Sequence, residues 1–452
     1  MSAPHPAKRA IVVAVALVAV AGCAVRWSGS GQSDDTDGGG PARGNAASSR
    51  EANETVNTAL KDVERFWESA FPRIANGERF QPVQGGLHPY TRNDPPPRCG
   101  SQAVEYQPNA FYCPSGDYIA WDAEQLIPQL YANFGPLLAA VVAAHEYGHA
   151  VQARLKQGTQ PAIVAEQQAD CFAGSWVGDV NAGNSQSFDK VEPKELDDAL
   201  GGMLMLRDEP GSSALAPQAH GNAFDRVRAF QEGFEQGADR CARYRADNLP
   251  VTEVPFSTRE EAATGGDLPY DDAVRALTEE NQAYWSRVFP QLAGRAWEPL
   301  RVVQFNPADP PDCAGRSSTG AAANTAFYCE SGNFVAFDGR GLGPRLHERI
   351  GDNAVGMLIG GLFAQAVQGR RGESTQGRAG QTAIDCLAGS WTSDLLNRDA
   401  RDTGVRLSPG DLDEAVAALI AFGRASPSNE VSAFDRIAAY RGGVLQGLSA
   451  CR

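Results

Sequence analysis

The stretch A-H-E-Y-G-H-A-V-Q, Ala144 to Gln152, closes an apolar run that begins at Leu137. Gly135-Pro136 precedes the run and predicts a helix start, because proline is tolerated in a helix's first turn. On that helix His145 and His149 stand four apart, so both imidazoles share one face, one turn above the other. Two such nitrogens can hold one zinc ion at about 2.0–2.1 Å. Glu146, beside the first histidine, is placed to take a proton from a metal-activated water. The chain has six histidines in 452 residues, which leaves H-E-x-x-H few innocent explanations. The alternative is a pair of surface histidines on an ordinary helix.

A catalytic zinc needs a third protein ligand and an open position for water. Gln152 and Leu155 stand where a further glycine and histidine of a longer motif would fall. Gly158 and Pro161 interrupt the helix, and a second helix restarts near Ala162. It carries Glu166-Gln-Gln-Ala-Asp170, which makes Glu166 the candidate third ligand. Asp170, one turn later, is placed to accept a hydrogen bond from a ligating histidine and fix its tautomer. His220 is a candidate to stabilise the oxyanion of a tetrahedral intermediate; the alternative is a structural histidine at a helix start. Tyr147 receives no role beyond packing.

The His, His, Glu arrangement resembles the gluzincin type of metallopeptidase. H-E-Y-G-H-A-V-Q, then E-Q-Q-A-D-C-F-A-G, then His220-Gly221 ahead of Arg226, with F-Y-C-P before the helix, resemble the putative neutral zinc metallopeptidase family more closely, over roughly residues 95–245. That resemblance implies a zincin-like fold, Zn2+ on His145, His149 and Glu166, Glu146 as general base, and peptide or protein substrates.

Internal repeats set the domain organisation. Ala110-Phe-Tyr-Cys113 recurs as Ala326-Phe-Tyr-Cys329, Ala169-Asp-Cys-Phe-Ala-Gly-Ser-Trp176 as Ile384-Asp-Cys-Leu-Ala-Gly-Ser-Trp391, and Ala223-Phe-Asp-Arg226 as Ala433-Phe-Asp-Arg436. The expected fold is α+β and mostly helical, with two tandem zincin-like metallopeptidase domains, the second degenerate. Residues 51–245 form the zinc metallopeptidase domain, 246–267 a linker, and 268–452 an inactive repeat. In that repeat His145, Glu146 and His149 become Gly361, Leu362 and Gln365, and Glu166 becomes Gln381. His220 becomes Glu430, whereas Asp170 persists as Asp385, a retention that a purely structural hydrogen bond would also explain.

Lys8 and Arg9 precede an apolar run, Ala10 to Gly22, too short to span a bilayer of about 30 Å. Its end, Val20-Ala21-Gly22-Cys23, resembles a bacterial lipoprotein signal. Residues 1–22 are then a signal peptide, Cys23 the lipidated first residue, and the protein is held at the outer face of the cell membrane. Residues 23–50, rich in Gly, Ser, Asp and Asn, are expected to be a disordered tether. Export makes the other eight cysteines disulfide partners first. Cys99, Cys113, Cys171 and Cys241 correspond to Cys313, Cys329, Cys386 and Cys451. Four cysteines allow three pairings and sequence does not choose; Cys99–Cys113 and Cys171–Cys241, repeated in the second copy, is the favoured one.

The net charge of −15, without a basic patch, argues against nucleic-acid binding. The sequence thus points to a membrane-anchored, extracytoplasmic zinc metallopeptidase whose second domain has a structural or binding role and an unknown partner. Two rivals remain at this stage: a non-catalytic envelope binding or scaffold lipoprotein, and a zinc hydrolase acting on another amide such as a cell-wall peptide.

Overall fold

In the computed structural model, residues 42–158, 160–216, 219–314, 326–398, 404–425 and 431–451 are described. The signal segment, Cys23 and Glu430 lie outside them. Helix α1, Ala42–Ile74, turns Ala52, Val56, Ala59, Leu60, Val63, Trp67 and Phe71 into the core at helical spacing. It begins inside the stretch expected to be a tether, so the tether boundary at residue 50 moves back to at least Ala42.

A three-stranded sheet follows, ordered β1 (Gly86–Tyr90), β3 (Tyr118–Asp122), β2 (Ala110–Cys113), with β1 parallel and β2 antiparallel to β3. Asn109-Ala-Phe-Tyr-Cys113, the turn residues Pro114-Ser-Gly116 and Tyr118-Ile-Ala-Trp121 read as a hairpin in the sequence and form β2 and β3, whereas Pro89 breaks the strand pattern of β1. Helices α2 (Leu126–Phe134), α3 (Pro136–Leu155), α4 (Ala162–Asn181), α5 (Pro193–Met203), α6 (Ala223–Gln236) and α7 (Ala238–Cys241) complete the first half. Helix α3 is apolar on nearly every side and is covered by α1, α4, α5 and β2, which makes it the central element.

After the short α8 (Arg259–Thr264), the second half repeats this order. It consists of α9 (Tyr270–Ala293), a sheet of β4 (Arg301–Phe305), β6 (Phe334–Asp338) and β5 (Ala326–Cys329), then α10 (Leu342–Arg349), α11 (Asp352–Arg370), α12 (Gly377–Leu396), α13 (Asp411–Ala425) and α14 (Ala433–Gln446). The stretch expected to be a linker, 246–267, is mostly exposed and is pinned at two points: Leu249 and Thr252 are buried and Thr252 donates from N and Oγ1 to Asp225, while α8 within it carries a reciprocal Thr258/Glu261 cap.

Four disulfides close as Cys99–Cys113, Cys171–Cys241, Cys313–Cys329 and Cys386–Cys451, the pairing favoured from the sequence. Such bonds mark an oxidising, extracytoplasmic location. Among the described residues no helix is long and apolar enough to cross a membrane.

Within each half one helix pair approaches unusually closely, and glycines permit it. A Cβ at Gly174 would overlap the Phe230 carbonyl oxygen, and one at Gly233 the Cys171 carbonyl oxygen; Gly389 and Gly443 meet Tyr440 and Cys386 in the same way. The halves also share a face related by an approximate two-fold. Asp197 on α5 accepts from Ala433 N and Phe434 N at the start of α14, while Asp413 on α13 accepts from Phe224 N at the start of α6. Each half therefore caps a helix of the other.

These contacts predict opposite outcomes for two glycine substitutions. Gly233→Ala should cost about 1–3 kcal/mol, because backbone rather than a movable side chain blocks the new methyl. Gly361→Ala, where nothing lies within 4 Å of the added carbon, should gain up to about 1 kcal/mol from helix propensity. Denaturant unfolding of the two variants measures both.

Candidate metal centre

Helix α3 presents His145, Glu146 and His149 to one cleft, and α4 brings Glu166 and Asp170 across from them. The two helices meet where Gly148 faces Ala169; a Cβ at Gly148 would stand 3.0 Å from the Ala169 Cα. Any larger residue there would push Glu166 away from the histidines.

His145 Nε2 lies 3.2 Å from Glu166 Oε2, and His149 Nε2 lies 3.5 Å from Glu166 Oε1. One donor atom from each of these three residues falls within 4.8 Å of the others. Two imidazole nitrogens and a carboxylate, converging at the mouth of a cleft, are the donor set of an open zinc site. The sequence-predicted ligands are thus brought together, and Glu146 is left out of the group.

Both histidines are held from behind. His145 Nδ1 donates to Asp170 Oδ1 at 2.8 Å, which directs Nε2 toward Glu166. Asp170 in turn accepts from Arg226 Nε and Nη2 at 2.8 and 2.9 Å, a buried ion pair. The second half keeps this pair as Asp385 with Arg436, at 2.8 Å twice, so the ion pair stands with or without a facing histidine, and the bond to His145 is particular to the first half. His149 Nδ1 pairs with Gln152 Oε1 at 2.9 Å, and Gln152 donates to the Ala165 carbonyl at 2.6 Å. Gln152 was read only as the absence of a motif residue; its position one turn after His149 was the available signal.

Glu146 is oriented by the edge strand: Tyr112 N donates to its Oε2 at 3.0 Å. In the second half Gln365 Oε1 takes the matching Tyr328 N–H at 3.2 Å, while Gly361 and Leu362 replace the first histidine and the glutamate. His220 lines the same cleft and is set by Asp208, which accepts from His220 N and Gly221 N at 2.7 and 2.8 Å and lies 3.3 Å from His220 Nδ1. Asp208 was missed from the sequence because nothing local marks it, twelve residues before its partner. Tyr147 is core: it is buried and its hydroxyl donates to Glu64. The cavity in front of these groups measures about 730 Å³, with Leu126, Leu138, Val141, Val142 and Met203 along its apolar wall.

The charges are cooperative. Burial opposes the imidazolium of His145, but the adjoining Asp170 and Glu166 carboxylates outweigh it and raise the pKa to about 10. His149 is raised as well, against burial, chiefly by Glu166, and Glu166 is held well below the usual carboxylate range, against its own burial, by the two histidines. At neutral pH the cluster without a metal therefore holds protons that a cation must displace.

Zinc affinity should rise steadily between pH 6 and 8, with protons released in calorimetry run in buffers of different ionisation enthalpy. An affinity independent of pH would contradict this arrangement. Asp170→Asn should weaken zinc about 10–100-fold in chelator competition, whereas Asp385→Asn should leave zinc affinity unchanged.

Comparison with known proteins places these residues in a family. The model of the family described as "Putative neutral zinc metallopeptidase" matches residues 8–244, a longer span than the motifs alone marked. The uncharacterized proteins Rv2575 of Mycobacterium tuberculosis and Mb2605 of Mycobacterium bovis are each 30% identical over 176 residues, covering 33% of this chain and 59% of the relative. The uncharacterized protein YpfJ of Escherichia coli is 28% identical over 212 residues, covering 41% of this chain and 69% of the relative. The chain thus spans under two thirds of the mycobacterial relatives it matches, and the second half lies outside the family match. No solved structure matches the chain. Through its first half, which carries the converging His145, His149 and Glu166, the chain belongs to the putative neutral zinc metallopeptidase family.

Proposed function

We propose that the chain is a zinc metallopeptidase hydrolysing peptide bonds outside the cytoplasm, tethered to the membrane by a lipid on Cys23, with all chemistry in the first half. The observation that carries this reading is the division of labour on α3 and α4: three side chains converge as ligands, while Glu146 opens on the same cleft and is held by a backbone N–H. A purely structural zinc site has no use for that fourth group.

His145, His149 and Glu166 would hold the zinc, which would supply Lewis-acid chemistry there by making a water more acidic and a carbonyl more electrophilic. Glu146, fixed by Tyr112 N, accepts the proton of the attacking water and later delivers it to the leaving amine. His220, oriented by Asp208, donates a hydrogen bond to the oxyanion that develops on the substrate.

The strand β2 lies at the sheet edge and lines the cleft. Tyr112 turns its backbone away from β3 toward Glu146, and by strand alternation Ala110 does the same. An extended peptide laid along β2 would find the Ala110 N–H and Tyr112 C=O as partners. The apolar wall opposite favours substrates with a large aliphatic or aromatic side chain near the cleaved bond.

Glu146→Gln tests the mechanism, since the amide keeps an acceptor for Tyr112 N but cannot serve as base. Peptide hydrolysis should fall about 10²–10⁴-fold with zinc content unchanged. Full activity in this variant would refute Glu146 as the base.

A further inference from the structure

The first half departs from its twin at one place that bears on the site. In the second half α13 runs to Ala425; in the first half the equivalent α5 ends at Met203, and after one tight turn, Leu204–Leu206, the chain leaves the helix at Arg207. The described parts of the loop that follows, 207–216 and 219–222, bring Asp208 and His220 to the cleft. The two ends of the loop are tied to each other, by Asp208 N to the Gly221 carbonyl at 3.1 Å and by His220 N and Gly221 N to the Asp208 carboxylate; where the tied loop sits over the cleft depends on what it rests on.

The second half supplies that rest. Asp413 on α13, almost fully buried, binds both ends of the segment at once: Oδ2 pairs with Arg207 Nε at 3.0 Å, and Oδ1 accepts from Phe224 N at 2.9 Å, four residues after His220. Gly410 sits against Pro210 in the middle of the segment, a Cβ there lying 3.5 Å from the proline ring. The Ser408–Asp413 stretch thus covers the outer side of the loop whose inner side holds Asp208 and His220.

We infer that the second half, which lacks counterparts of His145, His149 and Glu166, serves as a built-in positioning partner, holding the His220 loop in its active geometry through Asp413. The inference rests on the peptidase reading for its effect on catalysis, but the positioning itself is independent of it. Asp413 touches no reacting group; it is a positioning residue acting through Arg207 and the start of α6.

The two-fold relation provides the control. Asp197 plays the same capping part toward α14, pairing with Ala433 N and Phe434 N, but the helix it caps belongs to the half without ligands. Asp413→Asn and Asp197→Asn therefore disturb equivalent contacts across one interface, and only the first lies under the active loop. Both replacements keep the side-chain shape; the Ala versions would be paired in the same way if the Asn versions proved silent in both measurements.

In the full-length chain, amide hydrogen exchange at His220, Gly221 and Phe224 should speed up in Asp413→Asn and stay at the wild-type rate in Asp197→Asn. With the zinc-loaded protein and a peptide substrate, kcat should fall at least about tenfold in Asp413→Asn with KM and zinc content little changed, and stay within about twofold of wild type in Asp197→Asn. Unchanged exchange in Asp413→Asn and Asp413→Ala, or equal losses in both members of a pair, would overturn the inference. A wild-type chain without hydrolytic activity would count against the peptidase reading alone, since the exchange comparison still decides whether Asp413 holds the loop.

Discussion

The buried chain of contacts Arg226–Asp170–His145 ties fold to site. Its first link, a carboxylate bound by two guanidinium nitrogens, locks α6 onto α4, as its counterpart locks α14 onto α12, and would be costly to break, because either partner left alone is a buried, unpaired charge. Its second link exists only where a histidine occupies the facing turn of α3. The same aspartate thus stabilises the helix layer everywhere and aims a ligand only in the first half. The packing device does not depend on the candidate metal centre, which is why the second half keeps its fold without the ligand residues.

Much of this arrangement was visible in the residues. The H-E-x-x-H pair, Glu166 on the next helix and the repeat itself follow from residue type and spacing, and the structure brings His145, His149 and Glu166 together as expected, while the disulfide pairing was one of three the sequence allowed. The glycines in D-C-x-A-G-S-W were visible as repeated positions, while their reason, backbone-to-backbone contact between α4 and α6, needed three dimensions. Contacts between segments distant in sequence stayed hidden. Asp208 behind His220, Gln152 behind His149 and Asp413 beneath the active loop are single polar residues in unremarkable surroundings. The stretch 246–267 read as a linker because prolines, threonines and glycines are frequent in it, yet Leu249 is buried and Thr252 bonds Asp225 of α6. Composition reports the propensity for irregular backbone; it does not report whether that backbone is packed.

The interface between halves has the character of a dimer made covalent. Asp197 and Asp413 exchange helix caps, Arg424 pairs with Asp198 as Arg207 pairs with Asp413, and Arg441 reaches Gln231 and Glu235 across the contact. Self-complementary contacts of this kind are what two identical copies form about a two-fold axis. Once the copies are fused, one can lose its chemistry while its surface remains under selection for the support it gives the other.

The central claim is that this duplicated chain binds one catalytic metal, and binds it on α3 and α4 of the first half alone. Elemental analysis of the purified protein, beside a His149→Ala variant, tests it most directly. One zinc per chain, lost in the variant, is the predicted result. Zinc retained in full by His149→Ala, or a chain that takes up none after reconstitution, would contradict the account at its root.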